Sequence, residues 1–273
     1  MQVFSTSVGV VRRTSRGTSI LGGIGPDLDA VLRAHRWDEL ADVADGEDVD
    51  LSAVTIGVPV HPRRIVLVGL NYPMHAEELG FPLPERPAFG VIDSPPVIAA
   101  GERIPQTDPP LAQADYEGEI GVVIKRPTRN VNASEAWDHV AGFTAVNDVS
   151  DRELQLDAMA RNDVPDMIAS KSWPGFKPIG PGIIPLRGAP PELRLNLSVN
   201  GERRQQGALS ELIFDIPTLV EAISAEVSLA EGDIISTGSP SGVGYARDVF
   251  LRSGDVIEIA LDDLPPLRNV FGA

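Results

Sequence analysis

The chain has 273 residues, with 23 Lys and Arg against 39 Asp and Glu, a formal net charge of −16 at pH 7. At this length roughly three quarters of the surface of the unfolded chain can be buried, so one large domain, or a large and a small one, is expected. No Lys/Arg-rich run offers phosphates a place to displace counterions, which makes nucleic acid and anionic membranes poor partners.

Cysteine is absent. That removes a thiol nucleophile, a disulfide frame, an iron–sulfur cluster and a thiolate zinc site together. The four histidines, His35, His61, His75 and His139, contain no His-x-x-x-His pair, so a zincin helix is excluded as well. Oxygen ligands, and therefore a hard cation, are what remain. No apolar run approaches the roughly 20 residues that span a bilayer, and Arg12 and Arg13 interrupt the only modest apolar stretch near the start. A soluble cytoplasmic protein is expected. Lysine is scarce, with Lys125, Lys171 and Lys177 against twenty arginines, a bias that genome composition explains.

Residues 1–60 alternate short β-like stretches with one helical segment, Asp27 to Ala44, and read as a small N-terminal domain ahead of a larger one over 61–273. The apolar run Ile65 to Leu70 predicts a buried strand ending at Asn71-Tyr72. Pro73 suits a first helical turn, so Met74 to Leu79 is expected as a short helix. Gly80 ends it, and the stretch to Pro110 is rich in proline and glycine, as in a packed irregular loop system or a lid. Strands are expected at Glu119 to Ile124, Gly142 to Val149, Arg194 to Val199, Asp233 to Thr237 and Val256 to Ala260. Asn200-Gly201 marks a hairpin, and helices are expected at Ser134 to Val140 and Ile216 to Ser224. Interleaved strands with few helices indicate an α+β, mainly β architecture.

Two clusters carry the chemistry. In Asp115-Tyr116-Glu117-Gly118-Glu119, the two glutamates stand two positions apart, on one face of a strand at roughly 6–7 Å. They repel unless something positive lies between them, and Gly118 permits close approach of a ligand or backbone. An isolated Glu-x-Glu also fits the exposed face of an edge strand. In Asn147-Asp148-Val149-Ser150-Asp151-Arg152, Asp148 sits among β-formers, where an unpaired carboxylate is costly. It reads as a third oxygen ligand or as a helix cap. Three carboxylates suit Mg2+ or Mn2+, and Ca2+ is compatible.

Several motifs in order resemble the fumarylacetoacetate hydrolase family. They are Val68 to Tyr72 leading to His75-Ala76-Glu77-Glu78, Asp115 to Glu119, Asn147 to Ser150 with Arg152 and Gln155, Lys171-Ser172 with Pro178 to Pro181, and Thr237 to Gly244. The resemblance covers roughly residues 63–270, within the acylpyruvate hydrolase and 2-hydroxyhepta-2,4-diene-1,7-dioate isomerase branch. It implies a mixed β-roll catalytic domain behind a small N-terminal domain, a homodimer, and metal binding by Glu117, Glu119 and Asp148. It further implies His75 and Glu78 as a water-activating pair on a lid helix, and Lys171 as the cation that stabilises an enolate or oxyanion. Arg152, Gln155, Thr237 and Gly238 are then substrate contacts. Arg152 also suits a structural pair with Asp148 or Asp151.

The resemblance implies hydrolysis of a carbon–carbon bond in a small β-diketo or acylpyruvate-type acid through a metal-held enolate. Decarboxylation of an oxaloacetate-type acid, dienoate isomerisation and keto-acid dehydration use the same ligands, and a catalytically altered member with a binding or biosynthetic role is a further alternative. Three departures stand out: Ser239 where threonine is frequent, no lysine in the Phe89 to Ser94 element, and a longer connection over 156–170 carrying Arg161, Asp163 and Asp166. That connection is expected to border the pocket. Gly238 to Gly244 lacks a phosphate-loop ending and is expected to bring backbone groups near the substrate.

Overall fold

The computed structural model describes residues 1–188 and 190–272. The fold is built on the strand Gly118–Ile124, buried at every residue. It pairs antiparallel with Val140–Asn147 on one side and with Ile234–Ser236 on the other. Ile234–Ser236 runs parallel to Arg64–Gly69, whose other edge takes Ala88–Asp93. Beyond Val140–Asn147 come Lys177–Pro185 and then the N-terminal meander Gln2–Thr6, Gly9–Thr14 and Gly17–Leu21. The N-terminal strands therefore continue the same large mixed sheet.

Strand alternation sends the two faces of the sheet into two cores. Ile120, Val122 and Ile124 pack toward Leu195, Leu197, Ile257 and Ile259 of a second, five-stranded sheet and toward Leu219 and Ile223 of the helix Ile216–Glu226. Val123, Val146, Ile179 and Ile234 pack on the opposite face with Leu28, Val31, Leu32 and Trp37 from the N-terminal region. Gly118 lets the second sheet approach, since a Cβ there would lie 3.0 Å from Leu197 Cδ1. Its close contact is with packed leucines, where the sequence suggested a ligand or backbone.

Several expected elements shift. The helix foreseen over Asp27 to Ala44 is a single α-helix, Leu28–Arg33, capped by Asp27, followed by a 3-10 segment, Trp37–Ala41. His35 sits between them at φ +57°, left-handed backbone that no helix continues through. Ser134 to Val140 is a 3-10 segment, Ala133–His139. The 80–110 stretch contains the strand Ala88–Asp93 and two short ones, Val97–Ile98 and Arg103–Ile104. Lys177–Pro185 is a strand despite its prolines: Pro181 falls where the register slips between Phe143 and Ala145, and Pro178 lies beyond the last pair of that ladder, Val146 with Ile179. Asn200 and Gly201, at φ +53° and +79°, make the expected hairpin turn. The 152–170 connection is two helices, Arg152–Arg161 and Val164–Ala169, each capped by an aspartate. Among the described residues, no helix is long and apolar enough to cross a membrane.

Candidate metal centre

Glu117 and Glu119 flank Gly118 at the start of the central strand, and Asp148 follows the end of its neighbour, its amide donating to the Glu117 carbonyl at 2.8 Å. Because Glu119 pairs in register with Val146, two residues before Asp148, all three carboxylates project from one face. One oxygen from each lies within 4.8 Å of the others, and all three residues are buried.

Cations meet two of the three. Arg152 Nη2 donates to Glu117 Oε1 at 2.6 Å, and Lys171 Nζ to Glu117 Oε2 at 2.9 Å. Lys171 also pairs with Asp148 Oδ2. Lys177 Nζ lies 2.8 Å from Asp148 Oδ1, but the angle falls outside hydrogen-bond geometry, so this buried oxygen accepts no hydrogen bond. Glu119 has neutral donors only: Ser236 Oγ at 2.5 Å and the Gly238 amide at 2.9 Å, both onto Oε2.

The ionisation pattern follows. Burial opposes charge on Glu117, yet Arg152 and Lys171 hold its carboxyl well below the usual range. Burial, then Asp148 and Glu117, push Glu119 up to about 8. Against its burial, Asp148 and Glu117 raise the Lys171 ammonium, whereas burial lowers that of Lys177 against the pull of Asp148. Glu119 is thus a carboxylate without a counter-charge, beside an Asp148 oxygen without a hydrogen bond. Both observations, with an all-oxygen donor set, fit a hard divalent cation held by Glu117, Glu119 and Asp148.

His75 and Glu78 sit on the helix Pro73–Glu78, with Pro73 in its first turn. His75 Nδ1 is 3.3 Å from Glu78 Oε2, and His75 is near enough to Glu117 to help lower its carboxyl. Burial raises Glu78, but His75 and the Gly242 amide outweigh it and bring the carboxyl below its ordinary value. Gln155 meets Arg152, its Oε1 accepting from Nη1 at 2.6 Å. Thr237 is fully buried, and its Oγ1 has no hydrogen-bond partner among the described residues.

The segment from Gly238 to Tyr245 ties the site together through backbone amides. Gly238 donates to Glu119, Gly242 to Glu78, and Gly244 and Tyr245 to Asp115, the last two at 2.8 and 2.9 Å. These amides therefore face the protein's own carboxylates. Gly238 adopts φ +98°, and a Cβ there would lie 2.9 Å from Asn71 Cβ.

Three residues that the sequence left without a role prove central. Asp115 is fully buried and also accepts Arg152 Nε at 2.8 Å. Arg152, read from the sequence as a substrate contact or alternatively as a partner of Asp148 or Asp151, therefore pairs with Asp115 and Glu117. Asn71 joins three loops: Nδ2 donates to the Phe214 and Thr237 carbonyls, and Oδ1 accepts from the Phe214 amide. Gln205, from the second sheet, accepts from the Gly118 amide and donates to Ser239 Oγ and the Pro240 carbonyl. Asp115 stood out only as a motif residue, and neither Asn71 nor Gln205 carried a local signal.

A mixed β-roll with three converging carboxylates on a central strand pair, a half-buried lysine against two of them and a His–Glu helix alongside defines a class of enzymes acting on small keto acids. Residues 64–271 match the family model "fumarylacetoacetate (FAA) hydrolase C-terminal", and the chain belongs to that family. It is 37% identical over 221 residues to oxaloacetate tautomerase YisK of Bacillus subtilis, covering 79% of this chain and 71% of that protein. The crystal structure of 5-carboxymethyl-2-hydroxymuconate delta-isomerase from Mycobacterium smegmatis superposes with TM-score 0.76 at 28% identity, covering 100% of this chain and 98% of that one. A fumarylacetoacetate hydrolase from Exiguobacterium antarcticum gives 0.82 at 25% identity, with both chains covered completely.

Proposed function

We propose that this protein is a Mg2+- or Mn2+-dependent enzyme that moves a proton at the carbon beside the keto group of a small 2-oxo carboxylic acid, interconverting keto and enol forms of an oxaloacetate-like substrate. The observation that carries this is the convergence of Glu117, Glu119 and Asp148 within 4.8 Å, beside the Lys171 ammonium. A divalent cation held there supplies a Lewis acid for a 2-oxo carboxylate. Lys171 places a fixed positive charge where an enolate oxygen develops negative charge. His75, oriented through Nδ1 by Glu78, is the group that carries the proton. The partnerless Thr237 hydroxyl offers a donor to the substrate's carboxylate end. Arg152, with donors on Asp115, Gln155 and Glu117, holds the Glu117 ligand in place. Relatives named as an oxaloacetate tautomerase and a delta-isomerase support proton transfer as the reaction.

The His75–Glu78 pair favours a second reading, in which His75 activates water for hydrolysis of an acylpyruvate-type acid. One experiment separates the two. The chelator-stripped protein is reloaded with Mn2+ and offered a panel of 2-oxo acids, with enol absorbance followed optically and products by NMR. Accelerated loss of enol without a cleaved product is expected. Cleavage to pyruvate and a second acid would transfer the assignment to the hydrolase. No acceleration with any 2-oxo acid by the Mn2+-loaded protein would sink both.

A further inference from the structure

Lys177 is one of three lysines in the chain, it is completely buried, and the proton transfer proposed above makes no use of it. Its Nζ donates to three backbone carbonyls, those of Phe176 at 3.0 Å, Val149 at 3.4 Å and Lys171. Its remaining polar neighbour is Asp148 Oδ1, at 2.8 Å. Every one of these partners is an acceptor. A neutral amine would offer two N–H groups and turn its lone pair toward an acceptor, whereas an ammonium satisfies all three carbonyls and sets its charge against the carboxylate. Asp148 is thereby held between two ammonium groups, Lys171 on Oδ2 and Lys177 on Oδ1. A second carboxylate, Glu117, is compensated by Arg152 and Lys171.

We propose that Lys177 is an internal counter-cation of the metal centre: it stabilises Asp148 in the metal-free protein and, by repulsion at short range, weakens the binding of the divalent cation, keeping it exchangeable. This rests on the metal-centre reading above. Lys177 is a positioning residue. Through the Lys171 carbonyl it also anchors the backbone that carries the Lys171 ammonium.

The test is calorimetric titration of Mn2+ into the chelator-stripped full chain, with thermal unfolding measured with and without Mn2+. Lys177→Met removes the charge at similar length, and Lys177→Gln removes it while keeping N–H donors for the backbone carbonyls. Lys125→Met serves as control, since Lys125 pairs with Asp38 at the surface. Two like charges a few ångströms apart in a buried site predict Mn2+ binding tighter on the order of tenfold or more in both Lys177 variants. Their metal-free Tm should fall and the Mn2+-induced rise in Tm should widen, while Lys125→Met matches the wild type. Unchanged or weaker Mn2+ binding by Lys177→Gln, which keeps N–H donors for the carbonyls, would overturn the proposal. Wild-type protein that takes up no Mn2+ would instead remove the metal centre itself, so the two failures are distinct.

Discussion

Asp115 Oδ2 accepts Arg152 Nε at 2.8 Å, and the same carboxylate accepts the amides of Gly244 and Tyr245. One fully buried side chain therefore fixes both the arginine that holds Glu117 and the loop whose earlier amide, Gly238, holds Glu119. Asp115→Asn keeps the shape and removes the charge. It leaves Arg152 with one buried carboxylate partner, and breaking such a pair costs about 3 kcal/mol. Urea unfolding monitored by tryptophan fluorescence should show a loss of that order, with turnover reduced in parallel. A midpoint unchanged from wild type would remove Asp115 from this role.

Glu78 gives a pH-dependent prediction. Its carboxyl is held below its ordinary value by His75 and the Gly242 amide. A depressed folded-state pKa stabilises the protein above the unfolded pKa, and that contribution is lost as pH falls through the folded value. Glu78→Gln should therefore be less stable than wild type at neutral pH, and the difference should shrink as pH drops below the ordinary glutamate value of 4.5. Thermal melts across an acid series check this. A gap that widens on acidification would contradict the assignment.

The helix Val164–Ala169 lies on the strand Ala88–Asp93. Gly90 makes room for it, because a Cβ there would sit 2.3 Å from Ile168 Cδ1. Gly90→Ala overpacks this contact and should cost about 1 kcal/mol, the lower range for added methyl groups. Ile168→Ala should relieve the strain, so the double variant should be more stable than the sum of the single effects predicts. Additive costs in a double-mutant cycle would show that the helix does not depend on Gly90. Since this helix leads directly into Lys171, the same variants are expected to change KM for the keto acid more than Mn2+ affinity.

How far such features can be read from sequence depends on whether their cause is local. The common face of Glu117 and Glu119 follows from the period of a strand, and the His75–Glu78 pair from one helical turn after Pro73. The strand Lys177–Pro185 was illegible because its prolines interrupt a strand-like run, and Pro181 is accommodated only by the register slip opposite Phe143 to Ala145. Gln205 and Asn71 have no local signature. Their partners lie 34 to 166 residues away, so their roles exist only once the sheets have met. Asp115 was visible as a motif residue, yet its partners Gly244 and Tyr245 stand 129 and 130 positions further on.

The two glutamates should respond in opposite directions to the same isosteric change. Glu117 pairs with Arg152 and Lys171, so Glu117→Gln leaves the buried Arg152 and the half-buried Lys171 undercompensated and should lower metal-free stability by about 3 kcal/mol. Glu119 has no cation, only Ser236 and Gly238 as donors, and an amide oxygen can accept both. With its carboxyl pushed up to about 8 by burial, Asp148 and Glu117, Glu119 is already mostly uncharged at neutral pH without metal, so Glu119→Gln should melt at or above the wild-type temperature. Both variants lose a ligand. In the wild type, Mn2+ at a hundred times its Kd should add about 2.7 kcal/mol of stability, and most of that increment should vanish in each. Scanning calorimetry with and without Mn2+ gives all six melting temperatures. Glu119→Gln that melts well below wild type without metal would show that Glu119 is already compensated, and the case for a cation at this site would lose its main physical support.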